Sequence, residues 1–379
     1  MENRRENVVL FPFMAQGHII PFFALAQKIE KHGYSITYVN TPLNIKKLQR
    51  SLLPGSSIKL VEIPFNSTEH GLPLGAENSD SLPHNLLFSL LQATMSFKIP
   101  FKKLLFDIIQ EQGSVKPVCV IADFFFGWTV DIAHEFGIFH SIFSANEFLL
   151  PDFPEAGKHH VTQLSPSLKM AGKNNPLTEY HRKNLPTWAN SDAILLNTVE
   201  ELDKLGLMYF RRKLGIPVYA IGPALLSENV RSSRAGFDIN AKFVADKWLP
   251  DGFLGRIQDH ERGLIIDTWA PQVEILSHKS VAAFLSHCGW NSVLESLTSG
   301  VPLISWPVGA EQFHNAKFLV EEVGVCVEMA RGTSFEVSQE DIIEKIEFFM
   351  GGSEKLKEIK RKSCEVEEIM KNAIRDEEI

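Results

Sequence analysis

The sequence predicts an α/β protein of two doubly wound, Rossmann-like domains. Three observations carry this. Short continuous apolar runs, as expected of strands buried on both faces of a parallel sheet, alternate with stretches of helical spacing from residue 8 onward. Near residue 282 an apolar run leads into a polar loop and a helix start, the layout of a ligand site at the carboxyl end of a sheet. At 379 residues and 44% hydrophobic content, the chain can fill two ordinary cores.

Residues 8–13 form an apolar run that ends in Met14-Ala15-Gln16-Gly17-His18, and 19–29 has helical spacing, giving a buried strand and its crossover helix. Strands follow at 35–39 and 58–63, a helix at 86–109, a strand at 118–122, a helix at 128–136 and a strand at 138–143. A proline-rich loop occupies 147–154; a strand at 193–197, a helix at 201–213 and a strand at 218–222 close the first half. His18 and Asp123 stand just past two strand ends, where such sheets bind ligands. An imidazole beside a carboxylate is held in one tautomer and made more basic, because the imidazolium that forms is paired. Both positions equally suit helix caps.

Between Gly222 and Gly263 the chain is polar and turn-rich, with no apolar run fit for a buried strand. Four strands are expected after it, at 264–267, 282–286, 303–305 and 325–327, then helices at 339–350 and from 354 toward 374. The expected organisation is a first domain at 1–222, a linker and truncated start of the second at 223–262, the second domain at 263–350 and a closing helix at 351–379.

The helix opened by Asn291 and Ser292 offers unpaired first-turn N–H groups and the positive end of a dipole, a place for a diphosphate. Gly289 allows close backbone approach. Ser292 with Glu295 three residues on equally fits a capping box, and Trp269 and Trp290 equally suit a core. No GxGxxG follows a strand, which argues against a dinucleotide oxidoreductase. A net charge of -8 with no basic run argues against a nucleic-acid partner; the cations at 355–362 are flanked by Glu354 and Glu358 and form a solvated helix face. Cys119, Cys288, Cys326 and Cys364 are far apart without metal spacing, as free thiols of a reducing compartment. The apolar run after Asn7 breaks at Gln16, His18 and Pro21, which reads as strand and turn and not as a signal peptide. No run approaches membrane length. A soluble cytoplasmic monomer without stable membrane association is expected.

The stretch from Trp269 to Gln312, WAPQVEILSHKSVAAFLSHCGWNSVLESLTSGVPLISWPVGAEQ, resembles over its full length the signature box of plant UDP-dependent glycosyltransferases, glycosyltransferase family 1. The resemblance implies the GT-B fold, in which two Rossmann-like domains face each other, and a role for each matched residue. Trp269 stacks on uracil, the Ala270 backbone pairs with its edge, and Gln272 and Glu295 take ribose hydroxyls. His287, Asn291 and Ser292 line the diphosphate, with Gly289 between them, and Trp290, Glu311 and Gln312 hold the sugar. Many relatives carry Asp where Glu311 stands, and Gln at position 312 goes with glucose donors. Phe13, Gly17, His18 and Pro21 resemble the family's Phe-x-x-x-Gly-His-x-x-Pro turn, whose His is the general base, and Ile121-Ala122-Asp123-Phe124 resembles the segment of its partner Asp.

The implied reaction is inverting transfer of glucose from UDP-glucose to a hydroxyl or carboxyl of a small hydrophobic plant metabolite, such as a flavonoid, another phenolic, a terpenoid or a hormone. There is no Asp-x-Asp, and the family needs neither metal nor cofactor for this chemistry. The chain departs from the family in two places. The acceptor-shaping region after residue 143 is shortened, and family chains of roughly 450 residues or more open the second domain with a strand-helix-strand unit that this one lacks. In the strand order 3-2-1-4-5-6 that unit supplies strands 1 and 2, so the resemblance implies that a central strand is missing and that open edges, which invite aggregation, are left. In relatives the loop after that unit's first strand supplies a hydroxyl near the donor phosphates, and a final helix crosses back onto the first domain. Weakened or absent activity is expected, and a non-catalytic relic that retains UDP binding is the alternative.

Overall fold

The structure, a computed structural model, describes residues 5–144, 176–225, 249–259, 263–266, 270–330, 332 and 336–375. The first lobe holds seven strands, β1 (Asn7–Phe11), β2 (Ser35–Asn40), β3 (Ile58–Glu62), β4 (Cys119–Asp123), β5 (Phe139–Ser144), β6 (Ala193–Leu196) and β7 (Val218–Ala220). Their order is β3-β2-β1-β4-β5-β6-β7, and each pair is parallel. Around them lie α1 (Gln16–Lys31), α2 (Pro42–Leu48), α3 (Leu87–Ala93), α4 (Lys98–Glu111), α5 (Thr129–Glu135), α6 (Pro176–Asn184) and α7 (Lys204–Leu214). The chain order reverses between β1 and β4, which pair with Leu10 opposite Ile121 and Phe11 opposite Ala122. A crevice therefore opens at the carboxyl ends of these two strands.

All five residues of β1 are buried because helices cover both faces of the sheet. Alternate residues serve opposite cores. Val9 and Phe11 join Phe97, Phe101 and Phe126, with Phe11 and Phe126 ring centroids 4.6 Å apart. Val8 and Leu10 join Phe22, Phe23 and Tyr38.

The single helix expected at 86–109 is two, joined by a 3-10 turn at Thr94–Phe97. Thr94 Oγ1 donates to the Leu91 carbonyl at 2.7 Å and Ser96 Oγ to the Ala93 carbonyl at 2.7 Å, so side chains take acceptors of the helix ladder. Pro100, which has no N–H, falls in the first turn of α4, where none is needed.

The second lobe contains α8 (Phe253–Asp259), α9 (Gln272–Leu276), β8 (Phe284–Ser286), α10 (Trp290–Thr298), β9 (Leu303–Ser305), α11 (Gln312–Phe318), β10 (Cys326–Glu328), α12 (Gln339–Met350) and α13 (Glu354–Arg375). Its parallel sheet has the order β10-β9-β8. The strand expected at 264–267 is not formed over its described residues 264–266; Asp267 lies outside them. In the order 3-2-1-4-5-6 that strand pairs only with strand 2, and strand 2 belongs to the absent unit. Leu264 is accordingly 84% exposed. The loop at 147–154 and most of the expected linker at 223–262 also lie outside the described residues, apart from α8 and its approach. Val366 and Met370 of α13 belong to one buried cluster with α10 and with Val199 of the first lobe.

Candidate active site

On the first-lobe wall, β1 ends at Phe11 and α1 begins at Gln16, which puts His18 in the helix's first turn. Asp123 is the last residue of the neighbouring β4. His18 Nδ1 and Asp123 Oδ2 are 2.8 Å apart, and Asp123 is 1% exposed. An ionised carboxylate only accepts, so Nδ1 carries the proton and Nε2 keeps a lone pair. The second carboxylate oxygen accepts from Phe125 N at 3.0 Å, so Asp123 both orients the imidazole and caps the next turn. His18 is no cap: the residue at the start of α1 in that position is Ala15.

Burial pulls the His18 pKa down, but the Asp123 charge and hydrogen bond, with Glu311 across the cleft, outweigh it and leave it above the ordinary 6.5. A base must be neutral to take a proton. Turnover is therefore expected to fall on acidification through a midpoint above 6.5. A pH–rate profile checks this, and Asp123→Asn is expected to move the midpoint down.

On the opposite wall, β8 runs into His287-Cys288-Gly289 and then α10. Cys288 has φ 63, a left-handed conformation uncommon outside glycine. Its N–H donates to Ser286 Oγ at 3.0 Å, and its carbonyl accepts from Asn315 Nδ2 at 2.9 Å, which holds the loop. A Cβ on Gly289 would lie 2.5 Å from His287 Nε2, so the glycine makes room for that imidazole lying across it. Burial lowers the His287 pKa and favours the neutral ring. Gly289→Ala is expected to displace His287 and weaken UDP binding about ten- to a hundredfold, the worth of one hydrogen bond to a charged group, measured by calorimetric titration.

The capping box of Ser292 and Glu295 does not form. Gly289 is the N-cap of α10, and no side chain caps that end. Gln272 Nε2 instead donates to Ser292 Oγ at 3.3 Å and to Glu295 Oε2 at 2.7 Å, which gathers the expected ribose residues beside the helix tip. Ala270 stands two residues ahead, its carbonyl accepting from Gln272 N at 2.8 Å; Trp269 lies outside the described residues. Gln272, Glu295, His287, Asn291 and Glu311 line one wall of a cleft of about 390 Å³ whose other wall carries His18. The described lining holds no lysine or arginine. An anion there is met by the helix tip and neutral donors.

The expected sugar residues divide. Glu311 precedes α11 and lies in the cleft, where burial raises its pKa against the pull of its own backbone N–H and His18. Gln312 Oε1 accepts from Val308 N and Gly309 N, each at 2.8 Å, which leaves its amide hydrogens as donors. Trp290 also lines the cleft, while its side chain packs in the second-lobe core and donates Nε1 to the Asn197 carbonyl of the first lobe at 2.7 Å. Its indole is a core and bridging group. A second bridge runs from Asn291 Nδ2 to the Gly17 carbonyl at 3.0 Å. The bridging acceptors are backbone carbonyls, which carry no signal of side-chain type.

The family model described as UDP-glucoronosyl and UDP-glucosyl transferase matches residues 251–363. The chain is 39% identical to UDP-glycosyltransferase 92A1 of Arabidopsis thaliana over 459 aligned positions, covering 98% of this chain and 94% of the relative. It is 35% identical to Crocetin glucosyltransferase 3 of Crocus sativus, covering 84% and 85%. Its fold is similar to that of Glycyrrhiza uralensis UGT73P12 complexed with glycyrrhetinic acid 3-O-monoglucuronide, with a TM-score of 0.83, 24% identity and coverage of 98% and 92%. It is also similar to Medicago truncatula UGT71G1 complexed with UDP-glucose, with a TM-score of 0.76, 22% identity and coverage of 99% and 96%. The 459 aligned positions exceed the 379 residues here, as an internal deletion requires. The chain thus belongs to the plant family 1 UDP-glycosyltransferases, with the GT-B fold shortened in its second lobe.

Proposed function

We propose that this chain transfers glucose from UDP-glucose to a hydroxyl or carboxyl of a small hydrophobic plant metabolite, with inversion. The observation that supports it best is the His18–Asp123 pair on one wall of the cleft, facing the uncapped tip of α10 on the other. His18 Nε2 takes the acceptor proton, and Asp123 pairs the imidazolium that forms. The freed oxygen attacks the anomeric carbon from the face opposite UDP. Charge gathering on the departing diphosphate is met by the N–H groups of the tip and by His287, with no metal ion assigned a part. Phe13, Phe124 and Phe125 pack around the His18 ring at centroid distances of 5.4 to 5.5 Å and hold the base in place. By likeness to relatives the acceptor is a flavonoid, another phenolic, a terpenoid or a hormone. Gln312, by its likeness to glucose-using relatives, favours glucose. No helix among the described residues is long and apolar enough to cross a membrane, and we place the protein in the cytoplasm as a monomer.

Titration with UDP followed by assay of glucose transfer to a panel of phenolics tests the proposal. A second reading, a relic that binds UDP without transfer, draws support from the shortened sheet, in which β8 has no partner beyond β9 among the described residues. UDP binding without any transferred glucose selects it.

A further inference from the structure

Pro21 lies inside α1 and has no N–H to return to the carbonyl four residues back, which belongs to Gly17. That carbonyl is the one that accepts Asn291 Nδ2 from the other lobe, at 3.0 Å. Gly17 adjoins His18, and Asn291 is the second residue of α10, whose tip faces the cleft. A carboxamide carries two amide hydrogens, so one held by Gly17 leaves the other for a diphosphate oxygen. We propose that Pro21, Gly17 and Asn291 form a latch across the cleft. The proline frees a helical carbonyl, and the donor-lobe carboxamide takes it, fixing the turn that carries His18 against the diphosphate site. Pro21 and Gly17 thereby act as positioning groups through Asn291. The Trp290 indole, given to the Asn197 carbonyl one residue earlier, makes a second attachment, so two successive residues of α10 grip separate loops of the first lobe.

Pro21→Ala tests this, because it restores an N–H that competes for the Gly17 carbonyl without touching the donor site. Nitroxide labels on exposed Cys364 and on a Lys59→Cys substitution, in a Cys119→Ser background, report the distance between lobes. The parent is expected to give one narrow distance distribution, and Pro21→Ala and Asn291→Ala each a broader one. The double variant is expected to be no broader than either single, since both remove the same bond. For Pro21→Ala, UDP affinity is expected to stay within about twofold, because Asn291 keeps the amide hydrogen that it offers to the diphosphate. Turnover is expected to fall about ten- to a hundredfold from misplacement of the base. A melting temperature held or raised, as when proline leaves a helix interior, separates this loss from general destabilisation. An unchanged distance distribution in Pro21→Ala overturns the latch, and so does a UDP affinity that weakens as much as turnover does. The turnover arm rests on the transferase reading: a parent that transfers no glucose refutes that reading, while the label distances still decide the latch.

Discussion

His18→Ala is expected to lower glucose transfer by about a hundred- to ten-thousand-fold, the contribution of a positioned base. UDP affinity in the same variant is expected to stay within about twofold, since the groups expected to hold the nucleotide stand on the other lobe. The division follows from the geometry. His18 makes its one side-chain hydrogen bond backward, to Asp123, and presents Nε2 to the cleft. Alanine removes the base and leaves Asp123 its hydrogen bond from Phe125 N. His18→Gln separates proton transfer from packing, because it refills the space with a group that cannot take a proton at neutral pH. A His18→Ala variant with parental turnover removes the proposed mechanism, and one that also loses UDP affinity shows that the two walls were assigned to the wrong steps. Asp123→Asn is expected to cost less than His18→Ala, since it leaves the base in place while removing the charge that pairs the imidazolium.

The first lobe and its dyad were legible because each depended on local signals. The run around Val9 and Phe11 is apolar at every position, as a strand covered on both faces must be. His18 and Asp123 each follow such a run, and the parallel pairing of β1 with β4 brings them together. The break at Thr94–Phe97 was hidden because Thr and Ser also occur within helices, and only their bonds to Leu91 and Ala93 show the competition. Ser292 and Glu295 have the spacing of a capping box, but the helix starts at Trp290, so both face Gln272 instead. The sequence around Trp290 suits both a sugar site and a core, and its indole reaches the Asn197 carbonyl only because the first lobe passes there. Residues 264–266 are apolar enough for a strand, yet strand formation depends on a neighbour, and this neighbour is missing from the chain.

Restoring the absent strand-helix-strand unit from a longer relative, inserted between Pro223 and Gly263, is expected to raise the melting temperature by about 10 °C. The outer edge of β8 has no strand beside it among the described residues. Leu285, on the sheet face that Ile304 shares, is 51% exposed, and Leu264 and Ile266 are 84% and 41% exposed. Covering these three exposed aliphatic side chains in part is worth about 1 kcal/mol each, about half the value of full burial. At about 2–4 °C per kcal/mol in a domain-sized unit, the sum reaches the expected shift. The restored strand also occupies the centre of the sheet, so its backbone groups pair on both sides and the open edge that invites aggregation closes. Turnover is expected to rise with stability, because the tip of α10 that faces the cleft is carried directly from β8 through His287-Cys288-Gly289. Side-by-side thermal melts, light scattering and glucose-transfer assays of the two chains decide the matter. Equal melting temperature and equal turnover would mean that three strands suffice to hold the donor wall and that the deletion costs this enzyme nothing.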